Sequence, residues 1–385
     1  MSHAMYYPCL STKAFELLAY ERASEDVKDR CFPVVTLTRH RNAESFAEAA
    51  AALLDALAGR GAIVDFDSTP AAITSAAEAE QERRRRSAEL VRLGGVPIRE
   101  RSERQLASDQ RQRDRKEAFN THLRMLADEV EGPLQWIRIV AGLDNLLPCI
   151  RMTTPEGIAR QISVASELGR CAALRIRLKE PGEPTLFLRA LPLIGYWPPA
   201  GMILLIDAGY VRNRVPANVD QISSFLAQVR QQMGQDFERL PVVVLSNSFP
   251  KDSLKDHPEE IIMDEISLHR LVGRSWSVGY GDYMSVAKRP PGSGSNGWYP
   301  HVDLVKPESW QVKLDLNKDD PQGFIRSSQA LVRDPSWAGR ERCWGTQVIE
   351  AVAGGNLRVG PTAFTVPGPW LSVRANQHLS RMARR

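Results

Sequence analysis

Short apolar runs alternate with helix-like stretches along the first 290 residues of the chain. Several of these runs end in a charged or polar residue, as at Asp67, Asp207 and Asp282. Eight strands that alternate with helices predict an α/β fold, a (β/α)8 or TIM-like barrel over residues 5–289, with its working side chains at the carboxyl ends of the strands. The eight runs span residues 6–10, 33–38, 62–67, 148–153, 173–178, 202–207, 241–247 and 276–282.

The segments between the runs supply the helices of this pattern. Residues 136–143 fit either a strand or a turn of helix, because a short apolar run does not distinguish the two. Five prolines between Pro181 and Pro199 argue against a long helix after the fifth run. Helices are predicted over residues 11–23, 42–61, 154–169, 218–240 and 256–274.

Residues 71–131 interrupt the barrel pattern after the third strand. Between Arg83 and Lys116 there are twelve Lys or Arg against five Asp or Glu, which gives this stretch a charge of +7. The pair Gly94-Gly95 breaks the segment near its middle. We therefore expect a charged helical hairpin inserted between the third and fourth strands.

The last part of the chain, residues 290–385, lies beyond the barrel pattern. It contains five of the eight tryptophans, at positions 298, 310, 337, 344 and 370. We expect a Trp-rich α+β extension that begins with strands near His301–Val305 and Trp310–Leu314.

Composition narrows the class of protein. Apolar residues make up 43% and charged residues 25% of the chain, which is usual for a soluble globular protein, and the net charge of +4 is too small to imply a nucleic-acid partner by itself. No apolar run reaches the length of a membrane span, and the amino terminus lacks a signal-peptide core. The five cysteines form no C-x-x-C pair, which favours buried thiols in a reducing cytoplasm. The lack of a membrane-length apolar run predicts no membrane association.

Charged residues at the strand ends predict a polar barrel mouth. Residues two apart in a strand share a face, so Asp65 and Asp67 lie together, as do Arg175 and Arg177. The apolar residues between them should face the helices, which directs the charged set inward. The predicted mouth contains the acids Glu16, Asp65, Asp67, Asp207 and Asp282 and the bases Lys13, Arg151, Arg175 and Arg177.

Two interpretations of this mouth remain open. One is an interior salt-bridge network that satisfies buried charges. The other is a catalytic or ligand site, in which Asp65, Asp67, Asp207 and Asp282 hold a divalent cation and the basic residues bind a phosphate or carboxylate. Tyr283 either donates to an oxyanion in such a site or packs with its hydroxyl satisfied. No two of the seven histidines stand at metal-ligand spacing, which disfavours the familiar metal-dependent barrel hydrolases.

A set of short motifs carries a family resemblance over nearly the whole chain. They are Tyr6-x-Pro-x-Leu followed by Lys13 and Glu16, Gly281-Asp282-Tyr283, Trp310-x-Val-x-Leu, and Trp370 with Asn376-Gln377-His378. In these the sequence resembles the phage T4 beta-protein family. The resemblance implies a protein of phages and mobile elements and carries no established chemistry. The arginine-rich insertion departs from the expected family core.

These features predict a cytoplasmic accessory or effector protein of phage–host conflict that acts through a ligand or protein partner at the barrel mouth. One alternative is a metal-dependent phosphodiesterase or nuclease that uses the strand-end aspartates. Another is a nonspecific nucleic-acid binder that uses the insertion, where Arg83, Arg84, Arg85 and Arg86 contact the phosphate backbone. The same arginines also suit a protein partner or a solvated helix surface.

Overall fold

A computed structural model describes residues 5–39, 43–67, 73, 75–92, 96–97, 102–126, 128, 131–194, 201–286 and 297–385. Within these residues, eight parallel strands close into a barrel in the order in which they occur along the chain. The predicted (β/α)8-like barrel is therefore confirmed. Its strands are β1 (Tyr6–Ser11), β2 (Val34–Leu37), β3 (Ala62–Phe66), β4 (Leu146–Ile150), β5 (Ala172–Arg177), β6 (Met202–Tyr210) and β7 (Val242–Asn247), and, after a short strand β8 (Glu260–Ile262) outside the barrel, β9 (Gly279–Asp282).

Helices surround the barrel and start where the sequence supplies caps. Ser45 accepts a hydrogen bond from the Glu48 amide at the start of the helix Phe46–Leu57, and Thr154 caps the helix Pro155–Glu167, which has Pro155 in its first turn. The ambiguous segment around Trp136 is helical. The helices are α1 (Ala14–Glu21), α2 (Glu25–Lys28), α3 (Phe46–Leu57), α4 (Ala76–Arg92), α5 (Glu103–Leu126), α6 (Gly132–Ala141), α7 (Pro155–Glu167), α8 (Glu183–Ala190), α9 (Val215–Met233) and α10 (Asp264–Val272).

Alternate residues of each strand build two cores. One set, which includes Val64, Leu174 and Ile206, packs outward in the main core that the strands share with the helices. The other set forms an apolar cluster inside the barrel, beneath the charged residues of the strand ends. Its buried members are Cys9, Val34, Ile63, Cys149, Ala173, Leu205, Val243 and Leu245.

The predicted helix over residues 256–274 is wrong in its first part. Pro258 cannot sit inside a helix without removing a hydrogen bond, and the chain instead forms β8 before α10 begins at Asp264. Strand β8 pairs with β11 (Ser309–Leu314), so that Ile261 lies opposite Trp310. With β10 (His301–Val305), these strands form an antiparallel sheet in the order β10-β11-β8.

The residues after 297 form the predicted α+β arrangement. Its helices and remaining strands are α11 (Gln322–Arg333), α12 (Trp344–Ala353), β12 (Arg358–Val359), β13 (Thr362–Ala363) and α13 (Pro367–Met382). Phe324, Trp337 and Trp370 belong to a core of their own, whereas Trp310 is part of the main core. The division into barrel, insertion and extension as separate units stays a prediction. Strand β8 and Trp310 connect the extension to the barrel.

The inserted helices differ in how they are held. The carboxyl-terminal end of α5 is buried, with Phe119 stacked on Phe46 at 5.0 Å between ring centroids and Leu123 and Leu126 beside it. The rest of α5 and α4 is mostly exposed. The proposed turn at Gly94-Gly95 lies outside the described residues.

Two sequence-based predictions concern the burial of the cysteines and the lack of a membrane-spanning segment. All five cysteines are free; Cys9, Cys31 and Cys149 are buried, but Cys171 is exposed and Cys343 half-buried, so the expectation of buried thiols fails for Cys171. Among the described helices, none combines the length and apolarity that a bilayer crossing requires.

Phe119→Ala should lower the free energy of unfolding by about 3–5 kcal/mol, because it leaves a cavity where α5 is anchored. Urea denaturation followed by circular dichroism measures this. Leu106→Ala, at a side chain of the same helix that is 49% exposed, should change stability by less than about 0.5 kcal/mol. Equal effects of the two substitutions would contradict the anchoring of α5 at one end.

Candidate functional site

Asp65 lies among three arginines at the barrel mouth. Its carboxylate accepts hydrogen bonds from Arg177 Nη2 at 3.0 Å and Arg175 Nη1 at 3.4 Å, and Arg151 Nη1 lies 3.5 Å away. Burial by itself raises the pKa of Asp65, but the three guanidinium groups outweigh it and lower the pKa below its usual value. The carboxylate is therefore held in its charged form.

Asp207 points into the same cluster because it lies two residues after the inward-facing Leu205 in β6, and a β-bulge follows it. The pairing of β6 with β7 shifts register between Asp207 and Gly209, and Gly209 adopts a φ of 62°. Asp207 Oδ1 accepts a bond from the Gly209 amide at 2.9 Å, and Oδ2 accepts two from Arg175 at 2.8 and 3.0 Å. Although burial opposes it, Arg175 holds the pKa of Asp207 below its usual value.

The inner cluster is balanced in charge. Arg177 also contacts Glu183, with 3.0 Å between Arg177 Nη1 and Glu183 Oε1. Three guanidinium groups thus face three carboxylates, and Asp65, Arg175 and Asp207 are almost fully buried. This arrangement is what the salt-bridge interpretation of the mouth requires.

Tyr283 belongs to this cluster as a packed tyrosine. Its hydroxyl donates to Asp207 and accepts a bond from Arg175 Nη2 at 2.7 Å. Burial and the neighbouring carboxylate raise the pKa of Tyr283 well above its usual value. The hydroxyl is therefore neutral and already engaged within the cluster.

A cavity of about 350 Å³ opens beside the inner cluster. Lys251 Nζ lies 4.5 Å from the centre of the Tyr210 ring, and the Lys179 ammonium group donates to the Tyr210 carbonyl oxygen. Burial, Arg214 and Lys251 lower the pKa of Lys179. The cavity is lined by Arg175, Arg177, Lys179, Glu180, Asp207, Gly209, Tyr210, Asn247, Lys251, Tyr283 and Val286.

Asp282 is not part of the mouth, contrary to the sequence-based expectation. It shares the outward face of β9 with Tyr280, and its carboxylate binds Tyr6 Oη at 2.6 Å, Tyr280 Oη at 2.5 Å and His378 Nε2 at 2.7 Å. The neighbour Tyr283 points inward instead, because successive side chains alternate faces. The prediction is wrong because His378, 96 residues later in the chain, satisfies this outward-facing charge.

The other predicted mouth residues lie away from the cavity. Asp67 is exposed after β3, and Lys13 is exposed at the start of α1. Glu16 accepts a bond from the Ser11 amide at 2.6 Å and so closes the local turn. In the parts of the chain that the structure describes, no three His, Cys, Asp or Glu side chains come together as a metal site.

The arginines predicted on the insertion lie on α4. Arg83 and Arg84 both pair with Glu80, although the Arg84 side chain remains 77% exposed. Arg85 is exposed, and the side chain of Arg86 lies outside the described residues.

Sequence reasoning missed Lys179, Glu183, Tyr210 and Lys251. Lys179 lies two residues after Arg177, which itself lies two residues after Arg175. If the alternation of β5 is extended beyond the end of the strand, it predicts that Lys179 also points toward the mouth. Lys251 and Glu183 lie in a loop and at a helix start, where no periodicity reveals a side chain's direction.

The motif residues that carry the family resemblance meet where the barrel joins the extension. His378 stacks on Trp310 at 5.7 Å and binds Asp282, while Trp310 Nε1 donates to Ser285 Oγ at 3.0 Å. Asp282 raises the pKa of His378 although burial opposes the charged form. These contacts hold Met284 and Ser285, both with positive φ, directly after Tyr283.

Glu265 is a buried acid near this junction. Ser248 Oγ donates to its Oε2, and burial followed by the Asp282 charge raises the pKa of Glu265 to about 7. Its folded-state pKa is higher than the usual value, so the folded chain binds the proton more tightly than the unfolded chain. Stability from this group is complete below the unfolded pKa and is lost as the pH rises toward 7.

Glu265→Gln should therefore reduce the loss of stability between about pH 5 and pH 8, by an amount on the order of 3 kcal/mol. Urea unfolding at a series of pH values measures this dependence. Glu167→Gln, at an exposed helix position, should leave it unchanged, and His378 should leave a residual slope in both variants. The same pH dependence in Glu265→Gln and in the unsubstituted protein would refute the assignment.

Comparison with known proteins places the chain in a family. A relative, "Protein beta" of Enterobacteria phage P4, is 26% identical over 261 residues, which cover 65% of this chain and 69% of that protein. This relative comes from phage P4, whereas the sequence motifs had suggested phage T4. No solved structure matches the chain. The family model described as Beta protein matches residues 6–384, and the chain therefore belongs to the Beta protein family.

Proposed function

We propose that this phage-related protein is a cytoplasmic accessory or effector protein of phage–host conflict, in antiphage defence or exclusion, that acts through a ligand bound at the barrel mouth. Family membership and the phage P4 relative support the biological setting. The cavity beside the inner cluster is the observation that carries the molecular part of the proposal.

The position of this cavity favours a binding function. It opens at the carboxyl ends of β5, β6, β7 and β9, where barrels of this class bind their ligands. Its volume lies near the lower end of the usual range for small-molecule pockets, roughly 300–1,000 Å³. Arg175 and Asp207, which form one wall, are fixed by the ion pairs of the inner cluster, so the wall is preorganised.

The donor set at the mouth favours this function over metal-dependent hydrolysis. Asp65 is surrounded by three guanidinium groups, and Asp207 is bound by Arg175. A divalent cation beside either carboxylate would meet nearby positive charge. Asp282 faces the extension and shares no site with them.

Val286→Trp should abolish the effect of the protein on phage infection, because the larger ring fills the cavity whatever the charge of its ligand. We expect the plating efficiency of the phage on cells that express the variant to equal that on cells without the protein. Val286→Ala, which leaves the cavity open, is the matched control. Full activity of a folded Val286→Trp variant, with an unchanged Tm, would count against a role of the mouth.

The inserted helices support nucleic-acid backbone binding as a second candidate function. Arg85 and Arg92 on α4, and Arg104 and Arg111 on α5, are exposed, and none of these four forms an ion pair with another residue that the structure describes. The members of each pair are seven residues apart, so they share a helix face at a separation of about 10 Å. Four exposed guanidinium groups of this kind can contact the phosphates of a nucleic-acid backbone without recognising its base sequence.

Replacing these four arginines by Gln should reduce the salt dependence of binding to duplex DNA. The slope of log K against log salt should become shallower by about 3–4, because each lost phosphate contact removes about 0.9. A variant with the exposed Arg22, Arg189, Arg274 and Arg333 changed to Gln has the same net charge and should keep the original slope. Equal slopes in the two variants would contradict nucleic-acid binding by the insertion. Binding of a protein partner would then be the remaining candidate function of these helices.

A further inference from the structure

We propose that the cavity at the barrel mouth binds the phosphate group of a small organic phosphate, with Lys179 and Lys251 as the residues that contact it. The proposal rests on the proposed function, since it names the class of ligand for that site.

The two lysines carry charge that the protein leaves uncompensated. The described residues supply no carboxylate within ion-pair distance of either ammonium group: Lys179 donates to a neutral carbonyl, and Lys251 lies over the ring of Tyr210. Both groups therefore lie against one residue, Tyr210, on the wall of the same cavity. Each lysine comes from a different loop, after β5 and after β7, so the barrel closure brings them together.

The neighbouring charges leave the cavity electropositive. Arg151, Arg175 and Arg177 pair with three carboxylates, those of Asp65, Asp207 and Glu183, which leaves the inner cluster neutral. Asp252 and Asp264, on the neighbouring loops, are not among the residues that line the cavity: Asp252 binds His257, and Asp264 accepts a bond from the Asn213 amide at 2.8 Å. Apart from Asp207, which belongs to the inner cluster, Glu180 is the acid that lines the cavity. Its single negative charge is smaller than the two positive charges of Lys179 and Lys251, and its side chain is exposed.

This charge pattern fits a phosphate better than a carboxylate. A phosphate monoester carries close to two negative charges at neutral pH and presents three acceptor oxygens. Two ammonium groups, each with several rotatable donors, match such a group, whereas one carboxylate neutralises only one of them. The half-buried guanidinium of Arg177, 37% exposed, lies on the same wall and can add a further donor.

The remaining walls suit an organic body attached to the phosphate. Tyr210, Tyr283 and Val286 provide ring and aliphatic surface beside the cationic wall. A volume of about 350 Å³ is enough for a ligand of nucleotide size and too small for a folded partner element. The geometry therefore selects a small molecule with one anionic end and one less polar end.

Isothermal titration calorimetry of the full chain tests the proposal with four probes: inorganic phosphate, adenosine 5′-monophosphate, adenosine and acetate. We expect binding of phosphate and tighter binding of the monophosphate, with neither adenosine nor acetate bound at comparable concentration. Lys179→Met combined with Lys251→Met should lower the affinity for adenosine 5′-monophosphate by about tenfold or more, since two charged hydrogen-bond donors are lost. Lys255→Met, on the same loop as Lys251 but outside the cavity lining, should bind as the unsubstituted protein does.

Binding that the double variant retains, or acetate bound as tightly as phosphate, would overturn the proposal. So would no binding of either phosphate probe. The proposed function fails separately, because it depends on Val286→Trp in infected cells. Loss of activity in that variant without any binding of phosphate probes would leave the mouth functional and remove only the phosphate assignment.

Discussion

Arg175 sits between two buried carboxylates inside the barrel, and the geometry of the mouth depends on this interaction. Its guanidinium group contacts Asp65 on one side, Asp207 on the other, and the Tyr283 hydroxyl. The three charged groups are 3–4% exposed, so water cannot replace a missing partner. Removing one partner from such a buried cluster costs roughly 3–5 kcal/mol, because the other charges are left uncompensated. The cluster connects β3, β5, β6 and the end of β9, and it fixes the wall against which the cavity forms.

Strand alternation made much of this cluster predictable. Asp65 in β3 and the pair Arg175/Arg177 in β5 stand between apolar residues that identify the outward side, so alternation directs them inward. The same pattern placed Asp67 at the mouth as well, but β3 ends at Phe66 and Asp67 is exposed. The same reasoning could not place Asp282, whose strand contains glycines and a tyrosine instead of an apolar set. The outward side of that strand is polar because a histidine far along the chain meets it. The local pattern of apolar and polar residues thus predicts the strands and the direction of their side chains. The residues that depart from it, such as Asp282, do so because of contacts with distant segments of the chain.

The loop residue Lys251 could not be predicted from the periodicity of the strands. Lys251 reaches the mouth because the chain after β7 folds back over Tyr210, and nothing in the local sequence specifies that path. Strand β8 was missed for a related reason. Its three residues are a strand only because β11, about 50 residues later, supplies the hydrogen bonds. The bulge that follows Asp207 has a visible cause, Gly209, but its register shift depends on the pairing with β7.

The one-sided anchoring of α5 has a consequence for how this family can diversify. The insertion leaves the barrel after β3 and returns to it through Phe119, Leu123 and Leu126, so the barrel core touches only the last turns of the helix. Changes in the length or charge of the exposed part therefore leave the core packing intact. Substitutions in the exposed part of the insertion can therefore change its binding partner without disturbing the barrel, whereas the mouth depends on residues from several barrel strands and their loops.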